Sequence, residues 1–233
     1  MRVLVIENYF GTTLGQVGTA LDEAGIDSDL RRVWKGSALP RRPNGHDALV
    51  VLGGEQSAVD DDAHPYLPQV AALTKAFGAA DKAVLGICLG AQLVARGHGA
   101  TNILGRPVEF GWHEVTPTEA GRRDPVLSAL GAGAPQFQWH ADTFTLPQGA
   151  AHLASSAMTE NQAFRIGRAV YGIQFHFEAD RRTVERWNSD FAEVIAEETP
   201  DWPVRHPHEA ARHGPAADAA GLALARAWVK LIG

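Results

Sequence analysis

The stretch Val84-Leu85-Gly86-Ile87-Cys88-Leu89-Gly90-Ala91-Gln92 decides how the chain is read. An apolar run rich in branched residues stops at Gly86-x-Cys88-x-Gly90, and Leu89, Gln92, Leu93 and Ala95 follow at helical spacing. The pattern is strand, sharp turn, helix, with Cys88 at the turn. A side chain there projects clear of the sheet, and a helix beginning beside it supplies backbone N–H donors and a positive dipole end, the setting that activates a thiol. Strand and helix pass close together at such an elbow, and glycine permits the approach. A single cysteine also reads as a small buried hydrophobe. The flanking glycines and the helix start favour a nucleophile.

On the N-terminal side the chain alternates strand and helix. Val3 to Ile6 is an apolar strand, Leu14, Val17 and Leu21 mark a helix stopped by Gly25, Asp29 to Val33 is a weaker strand, and Pro40 to Gly45 is a loop. Ala48 to Leu52 is apolar throughout and ends at Gly53-Gly54. Runs apolar on both faces belong inside a parallel sheet covered on each side. Gly53-Gly54-Glu55-Gln56-Ser57 stands at a strand's carboxyl end, where open α/β sheets bind ligands; the glycines make either a plain turn or an N–H donor for an oxyanion. Asp60-Asp61-Asp62 has no accompanying ligand set and reads as a solvated loop before a helix from Leu67 to Phe77 rather than as a metal site.

Beyond Gly99 the pattern changes. Thr101 to Thr118 and Gln136 to Leu146 are shorter mixed segments cut by Gly and Pro, which predicts antiparallel strands beside a parallel core, with Trp112, Trp139 and Phe144 in packing roles. His140 and Asp142 stand two residues apart, and spacing alone favours a polar loop over a pocket wall. Phe164 to Phe175 reads as a hairpin whose second strand ends at His176-Phe177-Glu178. At that spacing Glu178 can accept a hydrogen bond from His176 and fix the tautomer that takes a thiol proton; a structural histidine is the other reading, and Cys88 favours the first. Arg181 to Glu198 predicts one amphipathic helix with Val184, Trp187, Phe191 and Val194 inward. Pro200, Pro203 and Pro207 predict a loop carrying mobile His206 and His208, and Ala216 to Leu231 a last helix that buries Leu222, Ala225, Trp228 and Val229.

The expected fold is therefore α/β, a mostly parallel central sheet with helices on both faces plus added antiparallel strands, as a single domain over 1–233 with 200–233 a C-terminal helical extension. With 233 residues, 45% of them hydrophobic, the chain can bury a full core. Its 21 basic and 27 acidic residues leave a net charge of −6, so no general electrostatic attraction to nucleic acid or an anionic membrane is expected. A small molecule is the expected ligand. One cysteine forms no internal disulfide, the ten histidines lack zinc spacing, and no apolar run is long enough for a signal or a membrane span, which suits the cytoplasm. No metal is expected.

Gly86-Ile87-Cys88-Leu89-Gly90-Ala91-Gln92 together with Gly172-Ile173-Gln174-Phe175-His176-Phe177-Glu178 resembles the class I, or triad-type, glutamine amidotransferase family. Within it the likeness is greatest to free-standing proteins related to the glutaminase domain of GMP synthase. It runs from Val3 to about Glu178 and includes Gly53-Gly54 with Ser57, Pro147 with Ala150, and Asn161-Gln162-Ala163-Phe164. The resemblance implies Cys88 as nucleophile, His176 as base and then acid, and Glu178 as its orienting partner. It implies an oxyanion hole from the amides of Gly54 and Leu89, and substrate contacts from Gly53, Gln92, His140 and Asp142, without a cofactor. Many relatives have His where Ala91 stands and Pro where Phe177 stands; neither difference removes a reacting group.

No Gly-x-x-x-x-Gly-Lys-Ser/Thr loop is present, so an ATP-using synthetase would be a separate polypeptide. Three functions follow as expectations: glutamine hydrolysis, with or without supply of ammonia to that synthetase; a stand-alone γ-glutamyl hydrolase or peptidase; or a non-catalytic regulatory subunit.

Overall fold

The computed structural model describes residues 1–105 and 108–233. The chain runs β1 (Arg2–Glu7), α1 (Gly15–Glu23), β2 (Asp27–Arg32), β3 (Ala48–Val51), α2 (Leu67–Ala79), β4 (Ala83–Ile87) and α3 (Leu89–Gly97). It continues with β5 (Asn102–Ile103), β6 (Glu109–Pro117), α4 (Glu119–Arg123), β7 (Ala134–His140), β8 (Thr143–Phe144), β9 (Ala151–Ser155), β10 (Ala163–Ile166) and β11 (Val170–Ile173). Three helices close it: α5 (Arg181–Asp190), α6 (Ala192–Glu198) and α7 (Trp202–Val229).

Nine strands of the described residues form one sheet in the order β2-β1-β3-β4-β11-β10-β9-β6-β7. The first five are parallel and the remainder antiparallel, which is the mostly parallel α/β architecture with added strands. In the parallel part, side chains alternate between two cores. Val3, Val5, Val50, Leu85 and Ile87 pack with Val17 and Leu21 of α1 and Leu224 and Trp228 of α7, whereas Leu4, Ile6, Leu49, Val51 and Val84 pack with α2 and α3. A third, aromatic core joins Phe110, Trp112 and Phe137 of the antiparallel strands to Trp187 and Trp202. Among the described residues, no helix is long and apolar enough to cross a membrane.

Two expectations about the C-terminal part fail. The predicted single helix from Arg181 to Glu198 is broken at Phe191, whose backbone leaves helical geometry at φ −124°, ψ 28°. The break turns the Phe191 ring onto Tyr9 and Trp139, and it leaves Val194 exposed rather than inward.

The predicted loop with His206 and His208 is instead the first half of α7, which starts at Trp202 and passes through Pro207 and Pro215. Both prolines lie on the exposed side, and the carbonyls they leave unpaired, on Pro203 and Ala211, also belong to exposed residues and can bond water. The opposite side buries Trp202, Gly214, Ala217, Gly221, Leu224 and Trp228, which offsets the cost of the prolines. Leu224, not Leu222, is the fully buried leucine. His206 is not a mobile surface residue, since it stacks on Trp112.

Candidate active site

Cys88 sits between β4 and α3 with φ 52° and ψ −111°, one of two non-glycine residues at positive φ among those described. Such geometry costs about 1–3 kcal/mol and persists only where the surroundings enforce it. Here a Cβ on Gly86 would stand 2.3 Å from the Gly90 carbonyl, and one on Gly90 would stand 2.0 Å from the Val51 carbonyl. Helix α3 therefore sits directly on the sheet, and the Cys88 N–H is tied to the Ile173 carbonyl at 2.9 Å. Neither Gly54 nor Leu89 gives its N–H to a backbone carbonyl among the described residues.

His176 follows β11, the strand paired with β4, so the sheet itself brings the imidazole to the cysteine's rim. A Cβ built on Gly53 would lie 3.6 Å from Cys88 Cβ and 3.3 Å from His176 Cε1; the two side chains converge over that glycine. His176 Nδ1 donates to Glu178 Oε1 at 2.7 Å, and Trp187 meets the ring edge-on at 5.2 Å. Burial opposes a charged ring, but the Glu178 carboxylate and the Cys88 sulfur outweigh it and push the His176 pKa up to about 10.

The Phe177 position supports this pair. Its ring is buried in the core, its carbonyl accepts from Gln16 Nε2 at 2.8 Å, and the Glu178 carbonyl accepts from Gln16 N at 2.9 Å. Gly15 and Gly221 fit closely against this loop from α1 and α7, where an added Cβ would meet the Glu178 and Phe177 carbonyls at 2.0 and 2.3 Å.

A cavity of about 300 Å³ opens above Cys88. Gly54, Gln92, His140, Asp142 and His176 line it with Cys88, whereas Gly53 lies beneath Cys88 and His176 and Leu89 at the helix start. His140 and Asp142 are thus part of a pocket wall rather than a polar loop. His140 is the last residue of β7, and antiparallel pairing with Glu109 draws it inward. Trp139 likewise lines the cavity, while Trp112 and Phe144 do pack inside. Asp61 is paired with Arg96 of α3 at 2.6 Å rather than simply solvated. Among the described residues, no group of three His, Cys, Asp or Glu side chains is arranged to hold a metal.

Behind the wall lies a polar chain that spacing did not indicate. Gln92 Nε2 donates to the Asp142 carbonyl at 3.2 Å, which also accepts from His140 Nδ1 at 3.0 Å. His140 Nε2 lies 3.3 Å from Glu109 Oε2, close enough for an ion pair but without hydrogen-bond geometry. Glu109 Oε2 accepts from Gln162 Nε2 at 3.0 Å, and that nitrogen also reaches Ser156 Oγ at 3.1 Å. Glu109 is fully buried, which disfavours its charge, but contacts with His140, Ser156 and Thr159 outweigh burial and hold its carboxyl below the usual range. Gln174 joins the chain through Gln92 at 3.4 Å; it stands within the Gly172 to Glu178 motif that follows from β11, and that position was its only signal.

The fold is α/β, and Cys88, His176 and Glu178 gather at the carboxyl edge of its parallel strands. The profile of the family described as Glutamine amidotransferase class-I matches residues 8–192. The chain is 35% identical over 188 residues to a putative glutamine amidotransferase-like protein, YfeJ, of Salmonella typhimurium, covering 79% of each sequence. It is 32% identical to one of the subunits of the glutamine-hydrolysing GMP synthase of Methanococcoides burtonii, over 76% of this chain and 86% of the other. A solved glutamine amidotransferase from Thermotoga maritima superposes with TM-score 0.85 at 28% identity, over 98% of both chains. The chain belongs to the class I glutamine amidotransferase family.

Proposed function

We propose that the protein, acting as one domain over residues 1–233, hydrolyses the side-chain amide of glutamine through Cys88, His176 and Glu178. The observation that carries this reading is the 2.7 Å bond from His176 Nδ1 to Glu178, which leaves Nε2 facing the sulfur of a strained elbow. The sulfur attacks the carboxamide carbon, and the amides of Gly54 and Leu89 receive the oxyanion; removal of such a donor costs about 3 kcal/mol of barrier. His176 passes the thiol's proton to the departing nitrogen. Water then cleaves the γ-glutamyl thioester with His176 as base, releasing glutamate.

Gln92, His140 and Asp142 are the groups assigned to the glutamyl half. Relatives are named as one component of a glutamine-hydrolysing GMP synthase, and by that likeness the ammonia passes to a separate synthetase. Retention of all three reacting groups speaks against a purely regulatory role. The test is release of ammonia and glutamate from glutamine by the purified chain, with Cys88→Ala as control. Release that vanishes in the variant is expected; an equal rate in both would overturn the assignment.

A further inference from the structure

Two groups of residues in the cavity wall are each tied together, one polar and one aromatic. Gln92, His140 and Asp142 form the polar set, joined at the Asp142 carbonyl. Tyr9, Trp139, Trp187 and Phe191 form the aromatic set: Tyr9 stacks on Phe191 at 6.2 Å, and Trp139 meets Phe191 edge-on at 5.5 Å and Trp187 at 6.0 Å. The reacting groups lie where the sets adjoin. Trp187 touches the His176 ring, and Cys88 Sγ is 3.6 Å from the Trp139 carbonyl. Phe191 is seated firmly, since Gly11 at φ 78° leaves room for it where a Cβ would come within 2.6 Å of Phe191 Cζ.

Ammonia as a leaving group requires no apolar wall. Aromatic rings beside the imidazole that protonates the leaving nitrogen, with Trp187 buried against it and Tyr9, Trp139 and Phe191 partly open, suit a nitrogen that carries carbon. The rim narrows the choice. Apart from the two imidazoles, the charged residues lining the cavity among those described are Glu55, Asp142 and Glu198. Glu198 accepts from Trp139 Nε1 at 3.3 Å, and burial with the nearby Glu55 carboxylate raises the Tyr9 pKa, so two carboxylates flank the aromatic set. They repel an anionic tail.

Building on the amide-hydrolase reading of the site, we propose that the preferred substrate is a γ-glutamyl amide of an alkyl- or arylalkyl-amine that carries no carboxylate. Its glutamyl half lies against the polar set and its amine substituent against Tyr9, Trp139, Trp187 and Phe191. The Sγ–C bond forms first, giving the tetrahedral oxyanion; as that collapses the C–N bond breaks, and His176 moves the thiol's proton to the amine nitrogen. Water converts the thioester to glutamate and restores the thiol, so the products are glutamate and the free amine.

The test compares kcat/KM of the full chain on L-glutamine, γ-glutamyl-phenethylamide and γ-glutamyl-phenylalanine, the last two differing by one carboxylate. The phenethylamide is expected to exceed glutamine by about tenfold, the gain from burying part of a phenyl ring, and to exceed the phenylalanine derivative as well. Phe191→Ala, and independently Tyr9→Ala from the facing wall, are expected to lower the phenethylamide-to-glutamine ratio about fivefold or more. Glutamine turnover equal to or faster than the phenethylamide overturns this inference while leaving the amide-hydrolase reading intact. A faster phenylalanine derivative overturns the carboxylate exclusion. No turnover of any substrate, with no adduct on Cys88 from a γ-glutamyl diazoketone, overturns both.

Discussion

The parallel and antiparallel halves of the sheet divide the labour and declare themselves differently. In β1, β3 and β4 nearly every side chain is apolar and buried, because helices cover both faces. The antiparallel half buries Glu109, Gln136, Gln138, His140 and Gln162 as well, side chains whose polarity suggests exposure. The first half holds Cys88 rigidly; the second shapes the cavity above it. Of these, Glu109, His140 and Gln162 are joined through their side chains, and such a network can be adjusted one residue at a time.

The division can be broken at several points. His176→Ala should have the largest effect, lowering turnover of glutamine by about 10³-fold through loss of the base and acid, measured as glutamate release at fixed enzyme concentration. Retained turnover would remove His176 from the mechanism.

Gly90→Ala probes the rigid half. The added methyl would meet the Val51 carbonyl at 2.0 Å, and backbone has no rotamer with which to yield. A loss of about 3 kcal/mol or more is expected in urea denaturation. Gly131→Ala, where nothing lies within 4 Å of the added carbon, controls for packing, although its φ of 61° still disfavours a side chain.

Glu109→Gln probes the adjustable half. The isostere keeps an acceptor for Gln162 but removes the charge facing His140, so KM for glutamine should rise about tenfold with a smaller change in kcat. Equal falls in kcat and kcat/KM would instead assign the network a role in the chemical step. Glu109→Asp, which restores charge at shorter reach, should recover part of the KM.

The His176 pair also predicts a pH dependence of stability. Its pKa rises from 6.5 unfolded to about 10 folded, so its contribution is fully present below pH 6.5 and is lost as pH rises toward 10. The difference in urea midpoint between wild type and His176→Gln should shrink across that window; a constant difference would mean that the ring stays neutral.

A last effect, on stability alone, concerns α7. Pro215→Ala restores a backbone donor on the exposed side of a continuous helix, and a gain of about 1–3 kcal/mol is expected. A loss would mean that the proline holds a bend the packing needs.

By itself the sequence determined the alternation of strand and helix through β4, the elbow at Cys88 and the pairing of His176 with Glu178. Those features rest on local rules: uninterrupted apolar runs, glycines at a close approach, and two residues on one side of a strand end. Tertiary structure alone decided the rest. Phe191 leaves its helix because Gly11 and Trp139, distant in sequence, offer its ring a better seat than the helix does. Helix α7 runs through Pro207 and Pro215 because the prolines face water while Trp202, Gly221 and Trp228 pack. His140 becomes a pocket wall because β6 places Glu109 opposite it. In each case packing between distant segments outweighs a local preference of a few kcal/mol, and no window of neighbouring residues contains that information.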